Sequence, residues 1–413
     1  MSTTHQNVAI IGAGLSGLCL ALSLHQQNIP CDIYESRGEP LDIGGAIMLS
    51  PNALRILDQL GVYDRLSPLA YRFDDLYFRT EDDKVLDTFP FGSEEKHGYA
   101  GMRIYRFELI KVLLQMLAEV DIVPQYGKKF LAVTKEDSEH VGWTFADGSS
   151  GSAGLLVGAD GIHSRVRIYI DEKAVPTFTK MIGVTAAVPT SQLGLQEGES
   201  YGLPVTLMNP THGAFVIAPQ RRDGSEVLIG KQRRFLEEPD REGWARITND
   251  KEWCVDFLRQ GSEDYPAIVG RAVSNISADA INLWPFYVVP KLESWASPAG
   301  RIVLVGDAAH AIPPTAGQGV NQAFEDVFTF AKVLGKLNGQ ETSRLQSALR
   351  GWQNHRQGRV ERVLELNAQL NQRRIPGAQN VQVDGSKAFD MGWLYDIDFD
   401  DVVKQIIDDA RVA

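Results

Sequence analysis

The sequence predicts an α/β fold in two lobes, one built on βαβ units around a parallel sheet, the other a mixed β-sheet, with helices at the C-terminal end. Three observations carry this. Val8 to Glu35 reads strand, glycine turn, helix, strand, acid. Two later apolar strands, Leu155-Leu156-Val157 and Arg301 to Val305, each run into a segment that couples glycine with aspartate, Asp160-Gly161 and Gly306-Asp307. Between them, residues 178–297 exchange helical periodicity for short β-rich runs separated by Pro, Gly, Asn and Asp.

The opening stretch organises the rest. Val8-Ala9-Ile10-Ile11 is the continuous apolar run of a strand buried on both faces, and Gly12, Gly14 and Gly17 follow in G-x-G-x-x-G spacing before a helix from about Leu15 to Gln27. The first glycine permits a tight turn, the second lets a pyrophosphate approach the backbone, and the third lets helix and strand pack closely. Free N–H groups and the macrodipole at the helix start favour an anion. Glu35 ends the second strand about twenty residues on, where a carboxylate can accept from the hydroxyls of an adenosine ribose. Together these read as a Rossmann-like site for an adenine dinucleotide.

Composition narrows the partners. The 413 residues carry a net charge of −12 with no basic stripe, which argues against nucleic acid and anionic membrane surfaces and for a small molecule. Cys19, Cys31 and Cys254 are scattered, so neither a dithiol centre nor a zinc site is indicated, and no metal is expected. No apolar run reaches a membrane span, and the polar residues 1–7 lead directly into the first strand. The cytoplasm is the expected compartment.

Further along, Ser36 to Ile47 is loop-like and contains Gly44-Gly45-Ala46, which lets the chain turn or pass close to a flat ligand. Asn52 to Leu60 has helical spacing and closes at Gly61. Asp75 to Phe89 alternates around a charged turn, a hairpin that interrupts the βαβ pattern and belongs to another sheet. Arg106 opens an amphipathic helix, Phe107 to Glu119, where it would clamp a phosphate or cap a neighbouring element. Asp121 to Val133 and Gly142 to Phe145 read as strands. The Asp160-Gly161 pair lies at a strand's C-terminal end, where open α/β sheets bind ligands and where ordinary turns also occur. Lys251 to Arg259 is a helix on the β lobe, and Arg344 to Gln372 is a long helix ended by Pro376. The acidic run Asp396 to Asp401 reads as solvated face or tail packing, with a partner surface as the other reading.

The third chemical stretch is Gly306-Asp307-Ala308-Ala309-His310, then Pro313-Pro314, then Gly317-Gln318-Gly319-Val320-Asn321 and a helix. Asp307 at a strand end and glycines at a helix start can offer one acidic contact and a row of N–H donors to one extended ligand.

These three stretches together resemble the single-component FAD-dependent aromatic hydroxylases, the group A flavoprotein monooxygenases, and within them the salicylate hydroxylase-like enzymes and their fungal secondary-metabolism relatives. The resemblance runs from about residue 7 to 370. It rests on Gly12, Gly14, Gly17 and Glu35; on D-G-x-x-S-x-V-R at Asp160, Gly161, Ser164, Val166 and Arg167; and on Gly306 to His310, Pro314, Gly317, Gly319 and Asn321. It implies a p-hydroxybenzoate hydroxylase-type fold: an FAD-binding domain from 1–70, 100–177 and 298–340, a β-sheet substrate domain from 71–99 and 178–297, and a C-terminal segment from 341–413.

By that resemblance Glu35 would hold the FAD ribose. Arg106, in the family's R-x-x-L segment, would contact FAD, and Asp307 would hold the ribityl and pyrophosphate region. Gly317, Gly319, Val320 and Asn321 would face the isoalloxazine, with Gly45, Ala46, Gly306 and Pro314 also in the cofactor site. Asp160 would serve both FAD and NAD(P)H, while His310 reads as structural. NADPH or NADH would bind transiently, reduce the flavin and leave. The reduced flavin would meet O2 and, through a C4a-hydroperoxide, pass one oxygen atom to a small aromatic or phenolic substrate.

A phenol also needs a base. His212, in Asn209-Pro210-Thr211-His212-Gly213, is the candidate, with an exposed hairpin histidine as the plainer reading. Two other readings stand beside hydroxylation: an epoxidase or other oxygenative tailoring enzyme for an alkene or indole, and a flavin-binding protein without turnover. A homodimer is the assembly envisaged.

Overall fold

The computed structural model describes residues 7–40, 45–196, 201–313, 317–337, 342–374 and 390–412. Val8–Ile11 is buried at all four positions, as a central strand of a parallel sheet requires. Cys31–Tyr34 pairs with it on one side and Leu155–Gly158 on the other, with Ile302–Leu304 beyond, all parallel. Ile11, Gly158 and Leu304 fall in one register. The strands preceding the three chemical stretches therefore deliver them to a single edge.

The segment expected as a strand from Asp121 starts instead at Phe130, and Asp121 has a left-handed φ of 60°. Residues just before it run along the outer sheet strand: Gln125 N–H donates to Ile33 O, Glu35 N–H to Gln125 O, and Lys128 N–H to Glu35 O. The stretch gives up its own strand to fix the backbone around Glu35.

Seven strands form the large sheet, in the order Asn282–Val288, Thr177–Pro189, Glu226–Arg234, Gly213–Pro219, Val205–Asn209, Asp75–Thr80, Val85–Pro90. All neighbours are antiparallel except Val205–Asn209 beside Asp75–Thr80. Alternation gives it two faces. Val184, Val205, Leu207, Phe215, Ile217 and Ile229 are buried beneath the helices of residues 241–272. Thr206, Met208, Val216 and Leu228 point the other way and are half-buried. Opposite that second face lies a small sheet of Ala46–Leu49, Gly101–Tyr105 and Tyr71–Phe73. Tyr71–Phe73 thus joins the small sheet, and only from Asp75 does the chain enter the large one.

The central helix Gly319–Leu337 packs against Leu15–Gln26 and the long helix Thr342–Arg374. The tail is packed, too: Tyr395 and Phe399 are buried, and Phe399–Val412 is a helix against the central and long helices. Its acids are tied down, Asp396 to His97 Nδ1 at 2.8 Å and Asp400 to Lys332 at 2.7 Å.

An ionic knot locks the central helix to the long one. Glu325 and Asp326 are fully buried; Arg356 Nε donates to Asp326 Oδ1 at 2.8 Å, Arg356 Nη1 to Glu325, and Arg359 Nε to Glu325 Oε2 at 2.6 Å. Burial pushes the Glu325 carboxyl up, but Arg359 and Arg356 overcome this and hold it at about 2. Removing one partner of such a pair strands a buried charge. Arg356→Met should therefore lower unfolding free energy by about 3–5 kcal/mol in urea titrations. Because the folded-state pKa of Glu325 lies below the ordinary 4.5, its contribution is present above that value and drains away as pH falls towards about 2. Glu325→Gln should flatten the stability-versus-pH curve over that interval.

Candidate cofactor-binding and active site

The glycine turn is built by close approaches. Gly12 has φ +112°, and a Cβ there would stand 2.4 Å from Ala159 O; a Cβ on Gly17 would stand 1.9 Å from Gly12 O. A Cβ on Gly14 meets nothing within 4 Å, so space lies open before the helix start, where unpaired N–H groups can meet an anion. Glu35 stands beside it, 9% exposed, its Oε2 accepting from Ala13 N–H at 2.9 Å and its Oε1 from Arg37 N–H at 2.9 Å. Each oxygen has two lone pairs, and Oε2 has capacity left for a ligand hydroxyl.

The second and third stretches join at the same edge. Asp160 Oδ2 accepts from Arg165 N–H at 2.7 Å and caps the helix Arg165–Ile170, while Oδ1 is buried without a partner. Burial pushes the Asp160 carboxyl above the usual range. Arg167 is spent on backbone: Nε donates to Ala174 O, Nη1 to Ala308 O and Nη2 to Ile162 O at 2.9, 2.9 and 2.6 Å. The Ala308 bond ties the Asp160-Gly161 loop to the Gly306–His310 segment.

A Cβ on Gly306 would stand 2.7 Å from Ser16 Oγ, which brings this turn against the first helix. Asp307 is exposed beside it. Arg106 lies close by, its Nε buried without a partner; burial pushes its pKa down, Asp307 pushes it up and Arg37 down. Arg106, Asp307 and Arg37 thus converge from three separate segments.

Gly317 has φ +63°, and a Cβ there would stand 2.7 Å from Met48 Cε. A Cβ on Gly319 meets nothing within 4 Å, leaving open space at the start of the central helix, with half-buried Val320 next to it. Asn321 points inwards, its Oδ1 accepting from Ser50 N–H at 3.0 Å and its Nδ2 donating to Gly317 O at 2.7 Å and Met48 O at 3.2 Å. Its side chain pins two loops together and is fully buried. Gly45 and Ala46 meet the large sheet: Ala46 N–H donates to Gln220 Oε1 at 2.9 Å, and a Cβ on Gly45 would stand 2.9 Å from Leu228 Cδ1. Pro314 lies outside the described residues.

His212 is elsewhere. It sits at the Gly213 end of the strand Gly213–Pro219, with Nε2 2.8 Å from Asp264 Oδ2, whereas the Pro219 end meets the small sheet. Seven extended residues separate the two ends by about 20 Å. The hairpin turns His212 towards the helices behind the large sheet, so it is not brought to the cofactor edge. His310 is structural: it is 7% exposed, its Nε2 2.5 Å from Asp326 Oδ2, which also accepts from Gly306 N–H at 2.8 Å.

Sequence reasoning missed Gln220, whose Nε2 donates to Tyr105 Oη at 2.7 Å while Tyr105 donates to Glu226. It also missed the Glu325-Asp326 pair, although two adjacent acids followed by an apolar stretch broken only by Thr329, with Arg356 and Arg359 three apart downstream, are a readable signal.

The edge fits FAD on the structure's own terms: open space at Gly14 and Gly319, a spare lone pair on Glu35, and an orphaned Nε on Arg106 beside an exposed Asp307. Comparison with known proteins agrees. Residues 5–367 match the family model described as "FAD binding domain". The chain is 31% identical over 348 residues, 81% of each chain, to 3-amino-4-hydroxybenzoate 2-monooxygenase PtnB3 of Streptomyces platensis. It is 27% identical to a salicylate hydroxylase of Pseudomonas putida, covering 95% of this chain and 93% of that one. The fold is similar to HpxO of Klebsiella pneumoniae complexed with FAD and uric acid, with TM-score 0.76, 21% identity, and coverage of 99% and 98%.

Two substitutions test the cradle. Asp307→Ala should weaken FAD retention about 10- to 100-fold, the cost of a hydrogen bond to a charged group, read as flavin absorbance of the purified protein and as a dissociation constant. Gly17→Ala should lose flavin more severely, because backbone atoms on both sides must shift. Unchanged flavin content in either variant would remove the corresponding assignment.

Proposed function

From its membership of the FAD binding domain family of flavoprotein monooxygenases, we propose that this enzyme inserts one atom of O2 into a small aromatic or phenolic substrate held between its two facing sheets, with NAD(P)H as reductant. Glu35 would hold the adenosine ribose, the Gly12–Gly17 turn and Arg106 the pyrophosphate, and Asp307 the ribityl chain. Gly45, Ala46 and the Gly317–Val320 backbone would border the isoalloxazine. FAD, when bound, supplies the electron transfer and oxygen activation that no side chain here provides.

The observation that supports the substrate assignment is the second face of the large sheet. Thr206, Met208, Val216 and Leu228 are half-buried there, and Leu228 lies against Gly45 at the cofactor edge. Around the same space Met48, Tyr71, Phe73, Phe91 and Ile312 form an apolar cluster with Val363 and Leu366 of the long helix. A flat aromatic guest suits such walls, and they keep water from the oxygen-transfer step. Gln220, fixed at both amide ends by Ala46 and Tyr105, holds the two sheets at a set separation. The finer assignments follow the same reading: we assign the enzyme to the cytoplasm, in keeping with three free cysteines, and to a homodimer, which light scattering on the holoenzyme would establish or overturn.

In the direct test, phenols and aromatic acids are screened for stimulated NAD(P)H oxidation by the holoenzyme, and product from ¹⁸O2 is weighed. At least one substrate should raise consumption and gain one labelled oxygen. Val216→Trp should fill the space and cut that stimulation at least about tenfold, with flavin content retained. No stimulation by any aromatic compound would sink the aromatic assignment.

A further inference from the structure

Arg103 lies in the middle of the small-sheet strand Gly101–Tyr105 and is 5% exposed. Met102 and Ile104 on either side of it turn into the core beneath, so strand alternation sends Arg103 the other way, into the space between small and large sheets. Its cross-strand neighbours are Met48 and Tyr71, both in the apolar cluster with Phe73, Phe91 and Ile312. Nε donates to Pro219 O at 2.8 Å, and Nη2 is buried without a partner.

No carboxylate among the described residues pairs with it, and burial pushes its pKa down to about 10. The other buried arginines among the described residues are spent: Arg356 and Arg359 on Glu325 and Asp326, Arg167 on three carbonyls, and Arg301 on the carbonyls of Ser138 and Gly154. A buried guanidinium is costly unless its N–H groups find acceptors, and Nη2 of Arg103 has none within the protein.

The candidates for that anion reduce to one. The FAD pyrophosphate, on the reading above, would be held by Arg106, beside Asp307, whose Cα lies about 10 Å from that of Arg103 by strand geometry. Glu226 is engaged by Tyr105. We propose that Arg103 anchors an anionic oxygen of the substrate, a carboxylate or a phenolate, in the space between the two sheets. This rests on the reading that the substrate binds there, and it makes the enzyme selective for acids over their neutral isosteres.

The test titrates the flavin absorbance of the holoenzyme with three matched pairs: benzoate and benzamide, salicylate and salicylamide, indole-3-carboxylate and its carboxamide. At least one acid should bind about 30-fold or more tightly than its amide. Arg103→Met should bring that acid down to the affinity of its amide, leaving the amide where it was, and Arg103→Lys should restore part of the difference. The proposal is overturned if no acid outbinds its amide in the wild type, or if the preference survives in Arg103→Met. Should Arg103→Met fail to hold flavin, the wild-type pairs together with Arg103→Lys decide. Stimulated turnover on neutral phenols without preference for acids would overturn this anchor and leave the monooxygenase reading intact.

Discussion

The structure depends on two neighbouring carboxylates buried where none should survive alone. Glu325 and Asp326 occupy successive positions of the central helix, and Arg356 and Arg359 of the long helix neutralise them. Two charges removed from water gain net stability only if geometry and extra hydrogen bonds offset the desolvation, and this pair has additional hydrogen bonds on both carboxylates. Asp326 holds Gly306 N–H and His310 as well as Arg356. Glu325 also accepts from Asn52 Nδ2 at 2.7 Å, next to the Ser50 turn that Asn321 pins. One buried knot therefore sets the register of two helices and fixes two of the loops that border the cofactor edge.

The site is a meeting of chain ends. Three parallel strands stop in one register, and beyond their C-terminal edge the backbone must leave the sheet, freeing N–H groups and short acidic side chains to face a ligand. Arg167 bonding to Ala308 O makes the second and third stretches one unit, and Gly12 against Ala159 makes the first and second one unit. The large sheet is then held against this edge by a clasp of Gln220 and Glu226 on Tyr105, which lies 115 and 121 residues from them in sequence.

Much of this was legible. The glycine fingerprint, Glu35, Asp160-Gly161 and the Gly306 to Asn321 stretch could be read because backbone constraints leave local marks: a positive φ or a close approach needs glycine, and buried parallel strands need unbroken apolar runs. The hairpin of the large sheet followed from alternation and its inner strands from β-rich runs between turn residues, whereas the edge strand Asn282–Val288 did not stand out. What could not be read depends on non-local pairing. Tyr71–Phe73 alternates like any strand, and nothing local says that its partner is Arg103 rather than the hairpin after it. His212 shares a chemistry with catalytic histidines, but the direction of a hairpin tip is set by the sheet it joins. Asn321 carries the family motif, yet its amide serves Ser50 and Gly317, a role that shows only when the loops are seen together.

The large sheet is sewn from two distant parts of the chain. Asp75–Pro90 arrives before the second and third chemical stretches are made, and joins strands made after Thr177 through one parallel seam, Val205–Asn209 against Asp75–Thr80. The large-sheet half is consequently no cassette: a recombinant that exchanged only residues 178–297 with a relative would leave a foreign hairpin at that seam, with Phe78 and Thr206 in register from different parents. Any shuffling of substrate preference among such enzymes, by breeding in the laboratory or by descent, must carry both pieces across together.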